Sequence, residues 1–178
     1  ELLNVGGTLA KSLGQSLQAV LLGSAPANVC AEAIACGAVR VLLAEHPLLE
    51  EGHLDARVTA LQQVCQQAKP AIVLIARNEV GRELGPRLAF RLGVGLAQDA
   101  VALSVDGGSK RLLATRPVYG GNAMAVVTMV CNPQIATVRP KAFAAAEKNE
   151  ALQGEVVRVP VEIPASVVKT RVVQKVVE

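Results

Sequence analysis

The sequence predicts an α/β fold: a layered, mostly parallel sheet flanked by helices, with antiparallel strands added in the second half. Three observations carry this expectation. Short branched-aliphatic runs alternate with helical patterns as far as Gly93, the order expected of parallel strands joined by right-handed crossovers. From Gln98 onward, strand-like runs follow one another with Asp-Gly and Gly-Gly turns between them, which is a hairpin pattern. The core must also be built from Val, Leu, Ile and Ala, because the 178 residues include no Trp, one Tyr and two Phe although 51% are apolar. Strands buried on both faces read as such continuous aliphatic runs.

Taken in order, Leu2, Leu3, Leu9 and Leu13 suggest an opening helix ended by Gly14, and residues 17–22 a buried strand. Residues 28–35 read as a small-residue helix closed by Gly37, with a second strand over 39–44. Leu54, Val58, Leu61, Cys65 and Ala68 recur at spacings of four and three, which puts them on one helix face. Lys69-Pro70 stops that helix before a third strand over 71–76, and Asn78 can cap a helix running toward Leu92 and Gly93. Strands are then expected over 100–105, 112–118 and 123–131, separated by Asp106-Gly-Gly-Ser109 and Tyr119-Gly-Gly-Asn122, and paired antiparallel. After Glu150 the chain turns Val-rich, with Pro160, Pro164 and an alternating stretch over 167–177, and reads as one or two edge strands. The division is thus an α/β domain over 1–150 and a tail over 151–178 leading out of it.

Several function classes fall away on composition. A net charge of +3 spread over scattered Lys and Arg gives no basic stripe for a nucleic-acid backbone. The longest apolar runs, 71–76 and 123–131, stop short of the roughly 20 residues that span a bilayer. The opening segment has no charged start, apolar centre or small-residue cleavage site, so secretion is not supported. Cys30, Cys36, Cys65 and Cys131 show no Cys-x-x-Cys pair and no spacing to histidine, and read as buried thiols in a reducing compartment. His46 and His53 flank Pro47-Leu-Leu-Glu-Glu-Gly52 without a relay partner and are assigned no role. Gly6-Gly7-Thr8 and the Gly81 to Gly85 pair match neither nucleotide-loop spacing, and Gly93-Val-Gly95 reads as a helix stop.

Two stretches carry more information. One is Gly81-Arg-Glu-Leu-Gly-Pro-Arg-Leu-Ala-Phe-Arg-Leu-Gly-Val-Gly-Leu-Ala-Gln-Asp99; the other is Thr115-Arg-Pro-Val-Tyr-Gly-Gly-Asn122 followed by Pro133-Gln-Ile-Ala-Thr-Val-Arg-Pro140. In these the chain resembles the α-subunits of electron transfer flavoproteins, including related proteins of nitrogen-fixation electron supply, and a weaker likeness covers essentially the whole chain. The resemblance implies an adenine-nucleotide-hydrolase-like variant of the Rossmann arrangement. It implies the amino-terminal domain of an α-subunit, packed on a β-subunit as the base for a mobile FAD domain. Electrons would pass through flavin from dehydrogenases, such as acyl-CoA dehydrogenases of fatty acid oxidation, with or without bifurcation. FAD would be held by a carboxyl-terminal domain and by the β-subunit, which in other members carries AMP instead. No catalytic activity is expected of this chain alone. The implied compartment is the bacterial cytoplasm, or the mitochondrial matrix in a eukaryote. The family's first strand, ahead of the opening helix, and its FAD domain have no counterpart in these residues; exposed pairing groups are expected where that strand would lie unless another segment fills the gap.

For the site, the resemblance points to the arginine of an Arg-Pro-x-x-Gly-Gly motif, which in bifurcating members approaches the flavin of the β-subunit. That position is Arg116. A guanidinium stays charged, donates in a fixed fork and can stabilise negative charge on a reduced ring. Pro117 would fix the backbone after it, and Tyr119, Gly120, Gly121 and Asn122 would form the turn that approaches the ring. An ion pair at the subunit interface and a solvated side chain remain open for Arg116. Arg82, Glu83 and Arg87 read as a helix-surface ion network and Arg139 as a loop anchor. Two other classes remain: a free-standing regulatory module binding adenine nucleotide, against which the missing glycine loop argues, and a structural domain whose tail pairs with a partner's sheet edge.

Overall fold

Parallel strands make the central layer of the computed structural model, which describes residues 1–25, 27–50, 52–170 and 174. Strands β1 (Gln18–Leu22) and β2 (Arg40–Ala44) pair in parallel, and β9 (Glu155–Arg158) adds to the far edge of β2. A second group runs β3 (Ile72–Ala76), β8 (Gln134–Val138), β4 (Leu96–Ala100), again all parallel. Helix α1 (Leu2–Leu13) leads into β1, and α2 (Ala27–Ala35), α4 (Leu54–Ala68) and α5 (Glu79–Leu92) supply the crossovers, with a short α3 (Pro47–Glu50) before α4. Strands β5 (Ala102–Val105), β6 (Leu112–Val118) and β7 (Ala123–Val127) form the antiparallel sheet. The predicted fold class holds.

Alternation along the strands divides the core into two faces. Ile72, Leu74, Ala97, Ala100 and Ala136 pack with Val5 and Leu9 of α1 and with Leu103, Leu112 and Ala114 of the antiparallel sheet. Val73, Ile75 and Ile135 pack on the opposite side with Val58, Leu61 and Cys65 of α4 and Leu84 and Leu88 of α5. Of the face predicted for α4, Val58, Leu61 and Cys65 are buried but Ala68 is exposed, and the helix buries a second face through Ala56, Ala60 and Val64. Helix α5 is seated by its first turn. Asn78 accepts a hydrogen bond from the Gly81 amide at 2.8 Å, and a Cβ at Gly81 would lie 1.8 Å from the Ala76 carbonyl oxygen. Only glycine permits that approach of helix to strand.

The structure corrects the strand assignments at several points. Strand β8 was not foreseen, yet all five of its residues are buried. Its polar members conceal it: Gln134 accepts from the Leu112 amide at 2.8 Å and Thr137 from the Asp99 amide at 3.0 Å, so both are buried without penalty. The strand expected over 100–105 holds β5 and only the last residue of β4, a parallel strand that was not expected over 96–99; the chain leaves the parallel sheet at Val101, whose amide donates to Thr115 instead. The strand expected over 123–131 ends at Val127. The edge-strand reading of the tail fits β9, whereas 160–170 hold only a 3-10 turn (Ala165–Val167); positions 171–173 and 175–178 of the expected alternating stretch lie outside the described residues. Cys30 and Cys65 are buried, but Cys36 is half-buried and Cys131 exposed, against the expectation of four buried thiols. Burial pushes the Cys65 thiol up to about 11, which keeps it protonated and inert.

Along the line between the two parallel groups, β1 and β3 each have a ladder partner on one edge only among the described residues. Both are correspondingly less buried than β2 and β8. Among the described residues no helix is long and apolar enough to cross a membrane.

Gly81→Ala is expected to lower stability by about 1–3 kcal/mol or more, since the added methyl overlaps backbone rather than a flexible side chain. Gly107→Ala, which meets no atom within 4 Å, is the control and should stay within about 0.5 kcal/mol. Urea unfolding curves compare the two; equal midpoints would mean that α5 does not sit this close to β3.

Candidate functional site

Three parallel strands end side by side. Ala76 and Ala100 both lie opposite Val138, so Arg77 after β3, Arg139 after β8 and Asp99 near the end of β4 are brought into one row. In open α/β sheets, ligands bind beyond this carboxyl edge. The β4 ladder shifts register between Ala97 and Ala100, and within that irregularity Asp99 takes a left-handed φ of 63°. Aspartate tolerates this conformation better than most residues. Its amide is held by buried Thr137 at 3.0 Å. Its carboxylate receives the Arg139 guanidinium fork to fork, Nε on Oδ1 at 2.9 Å and Nη2 on Oδ2 at 2.5 Å. The Arg77 Nε lies 3.5 Å from Oδ1, an ion pair without a hydrogen bond.

Arg116 reaches the same place from the antiparallel sheet. Leu112, Ala114 and Arg116 alternate onto one face of β6; the first two fill the core, and the third extends past its end. Its Nε donates to the Gln98 carbonyl at 2.8 Å. The side chain makes no other hydrogen bond and no ion pair among the described residues, so both terminal nitrogens keep their donors free. After Pro117 and Val118 the chain makes a 3-10 turn, Tyr119–Gly121, closed by the Asn122 amide on the Tyr119 carbonyl at 3.3 Å. Tyr119, Gly120 and Gly121 take φ of 51°, 67° and 98°, a run that two glycines make affordable. Tyr119 is 84% exposed.

A shallow cleft of about 450 Å³ is lined by Asp99, Arg116, Pro117, Val118, Tyr119, Gly120, Gly121 and Arg139. Of the residues named from the sequence, Arg116, Pro117, Tyr119, Gly120 and Gly121 line it, whereas Asn122 contributes by closing the turn. Asp99 and Arg77 were missed as site residues. Asp99 stands unremarked at the end of the Gly81 to Asp99 motif, and a charged residue directly after a buried strand was the available signal for Arg77. Arg139 does anchor a loop, as expected, and the anchor is Asp99. Within the cluster three guanidiniums face one carboxylate, leaving two positive charges uncompensated. The Arg139 hydrogen bonds hold the Asp99 carboxyl below the usual carboxylate range; burial opposes them, and the charges of Arg77, Arg139 and Arg116 assist.

The remaining candidates are structural. Arg87 pairs with Glu83 at 3.7 Å and Asp55 at 3.0 Å, tying α5 to α4, and these three line a smaller cleft of about 230 Å³ whose carboxylates are thereby occupied. Gly6, Gly7, Gly81 and Gly85 lie inside helices, not in phosphate-binding loops. Among the described residues no group of His, Cys, Asp and Glu could hold a metal ion.

Asp99 ionises more readily in the folded chain than in the unfolded one, so its contribution to stability is complete above the unfolded carboxylate value, about 3.9, and is lost as pH falls through the folded value. Asp99→Asn, which keeps the left-handed tolerance, is expected to be less stable than the parent at pH 7, with the gap closing toward pH 3. Urea midpoints across that range measure it, and a gap that fails to narrow on acidification refutes the assignment.

Comparison with known proteins identifies the family. Residues 1–164 match the electron transfer flavoprotein domain. The electron transfer flavoprotein subunit alpha of Clostridium acetobutylicum is 38% identical over 177 residues, 97% of this chain and 52% of that protein. The corresponding subunit of Megasphaera elsdenii is 36% identical over 158 residues, covering 88% and 47%. Protein FixB of Rhizobium meliloti is 34% identical over 177 residues, covering 97% and 50%. The chain spans about half the length of the curated relatives it matches. It belongs to the electron transfer flavoprotein family, on the branch of the α-subunits.

Proposed function

We propose that this domain is the amino-terminal part of an electron-carrying α-subunit and lays its β6–β7 turn against a flavin held by a β-subunit. The observation that carries the reading is Arg116: anchored through Nε on the Gln98 carbonyl, it offers two free terminal nitrogens, with four N–H donors, to a cleft beyond the carboxyl ends of the parallel strands. FAD held by the partner would supply the redox chemistry by taking up and releasing electrons at its ring.

The residues here suit that group. A flavin ring can gain negative charge when it is reduced, and a guanidinium edge donates to it without needing a proton change. Because Nε is fixed to a neutral carbonyl, little of the Arg116 charge is cancelled locally, and its orientation is set before any partner arrives. Pro117 removes a backbone donor and stiffens the strand leading into the turn. Gly120 and Gly121 leave open space where other residues would carry Cβ, so a flat surface can approach the turn closely. Dehydrogenases would then deliver electrons to the assembled heterodimer, while this domain contributes a rigid wall and positive charge. Bifurcation and residence in the bacterial cytoplasm or mitochondrial matrix belong to the same reading.

Arg116→Gln in the heterodimer is expected to lower the reduction potential of the β-subunit FAD by about 30 mV, a tenfold change for a two-electron couple. Arg116→Lys, which keeps charge but loses the fork, should fall between. Unchanged potential and spectrum in both variants would remove the flavin contact and leave an interface ion pair. Stoichiometric retention of FAD by the purified chain alone would overturn the division of labour, and tight AMP binding by that chain would favour the nucleotide-module alternative.

A further inference from the structure

Arg116 owes its free terminal nitrogens to its neighbours. A carboxylate is the strongest partner a guanidinium can find, and Asp99 follows directly on the residue whose carbonyl holds Arg116. Yet Arg116 makes no ion pair with it. Both Asp99 oxygens are already engaged, bidentately by Arg139 and at 3.5 Å by Arg77. The Asp99 side chain is only 15% exposed, whereas Arg139 and Arg77 are 43% and 34% exposed, so the carboxylate is the sheltered partner. Its backbone is fixed as well, by the Thr137 hydroxyl on one side and by the Arg139 amide on the Ala100 carbonyl on the other.

Resting on the flavin-facing reading of Arg116, we infer that Arg139, with Arg77 behind it, saturates Asp99 so that Arg116 is left charged and unpaired for the partner's ligand. Arg139 and Asp99 are positioning residues; neither needs to touch the ring. Their combined effect is to keep a carboxylate beside the site without letting it pair with Arg116. The nearby negative charge is spent on Arg139, whose Nε and Nη2 both donate to Asp99.

The arrangement makes a distinctive genetic expectation, because removing one arginine should disable another. In the FAD-loaded heterodimer, Arg139→Gln frees Asp99 to capture Arg116, and the flavin potential should fall as in Arg116→Gln, by about 30 mV or tenfold. Adding Asp99→Asn to Arg139→Gln removes the captor and should restore the potential to near the parent value. Adding Arg139→Gln to Arg116→Gln should change nothing further. A purely structural role for Arg139 predicts the opposite, since losing both partners would not repair the site. If Arg139→Gln does not assemble, Arg139→Lys, which loosens the bidentate grip, must shift the potential in the same direction. Arg116→Gln effective with Arg139→Gln silent, or no rescue by Asp99→Asn, overturns this inference alone. Arg116→Gln without effect overturns both it and the flavin reading.

Discussion

Strand β8 lies buried between β3 and β4, and its two parallel ladders set in line the chain ends that carry Arg77, Arg139 and Asp99. Everything at the cleft follows from that alignment. The strand is also tied sideways through its polar residues: Gln134 takes the Leu112 amide of the antiparallel sheet and Thr137 takes the Asp99 amide. Buried amides that lose such partners cost about 1–3 kcal/mol each, so β8 is held in one register by interactions a purely aliphatic strand could not make. The Gln134 hydrogen bond also ties the parallel layer to β6, the strand from which Arg116 extends.

The charge arrangement at the strand ends has a clear hierarchy. Asp99 and Arg139 form a bidentate pair whose carboxylate side is buried; Arg77 adds charge at longer range; Arg116 is held by a neutral carbonyl. Ion pairs on an open surface contribute little, as with Arg40 and Glu155 across the β2–β9 edge, both about half exposed. Around Asp99 the partial exclusion of water makes the same chemistry directional, and the uncompensated charge is left on the side that faces the cleft.

Family membership and structure meet at this point without duplicating each other. The relatives are about twice as long as the chain, so the flavin reading concerns an assembly of which these residues form one wall. The domain's own contribution is a rigid edge. Glycine-seated α5 and the split between β4 and β5 at Val101 bring two sheets to one rim, one supplying the Asp99 cluster and the other the Arg116 turn.

The sequence by itself determined the fold class, the four longer helices, the hairpin character of the second half and the turn at Tyr119 to Asn122. These are local matters of periodicity, capping and glycine placement, and α1, α4 and α5 end where their stop signals stand. What only the tertiary structure decided was β8, the break at Val101, the end of β7 at Val127, and the cluster around Asp99. Gln134 and Thr137 look wrong for a buried strand until their partners, 22 and 38 residues away, are in place. Asp99 and Arg139 are 40 residues apart, and no spacing rule joins them; their pairing exists because parallel strands in register end at the same height.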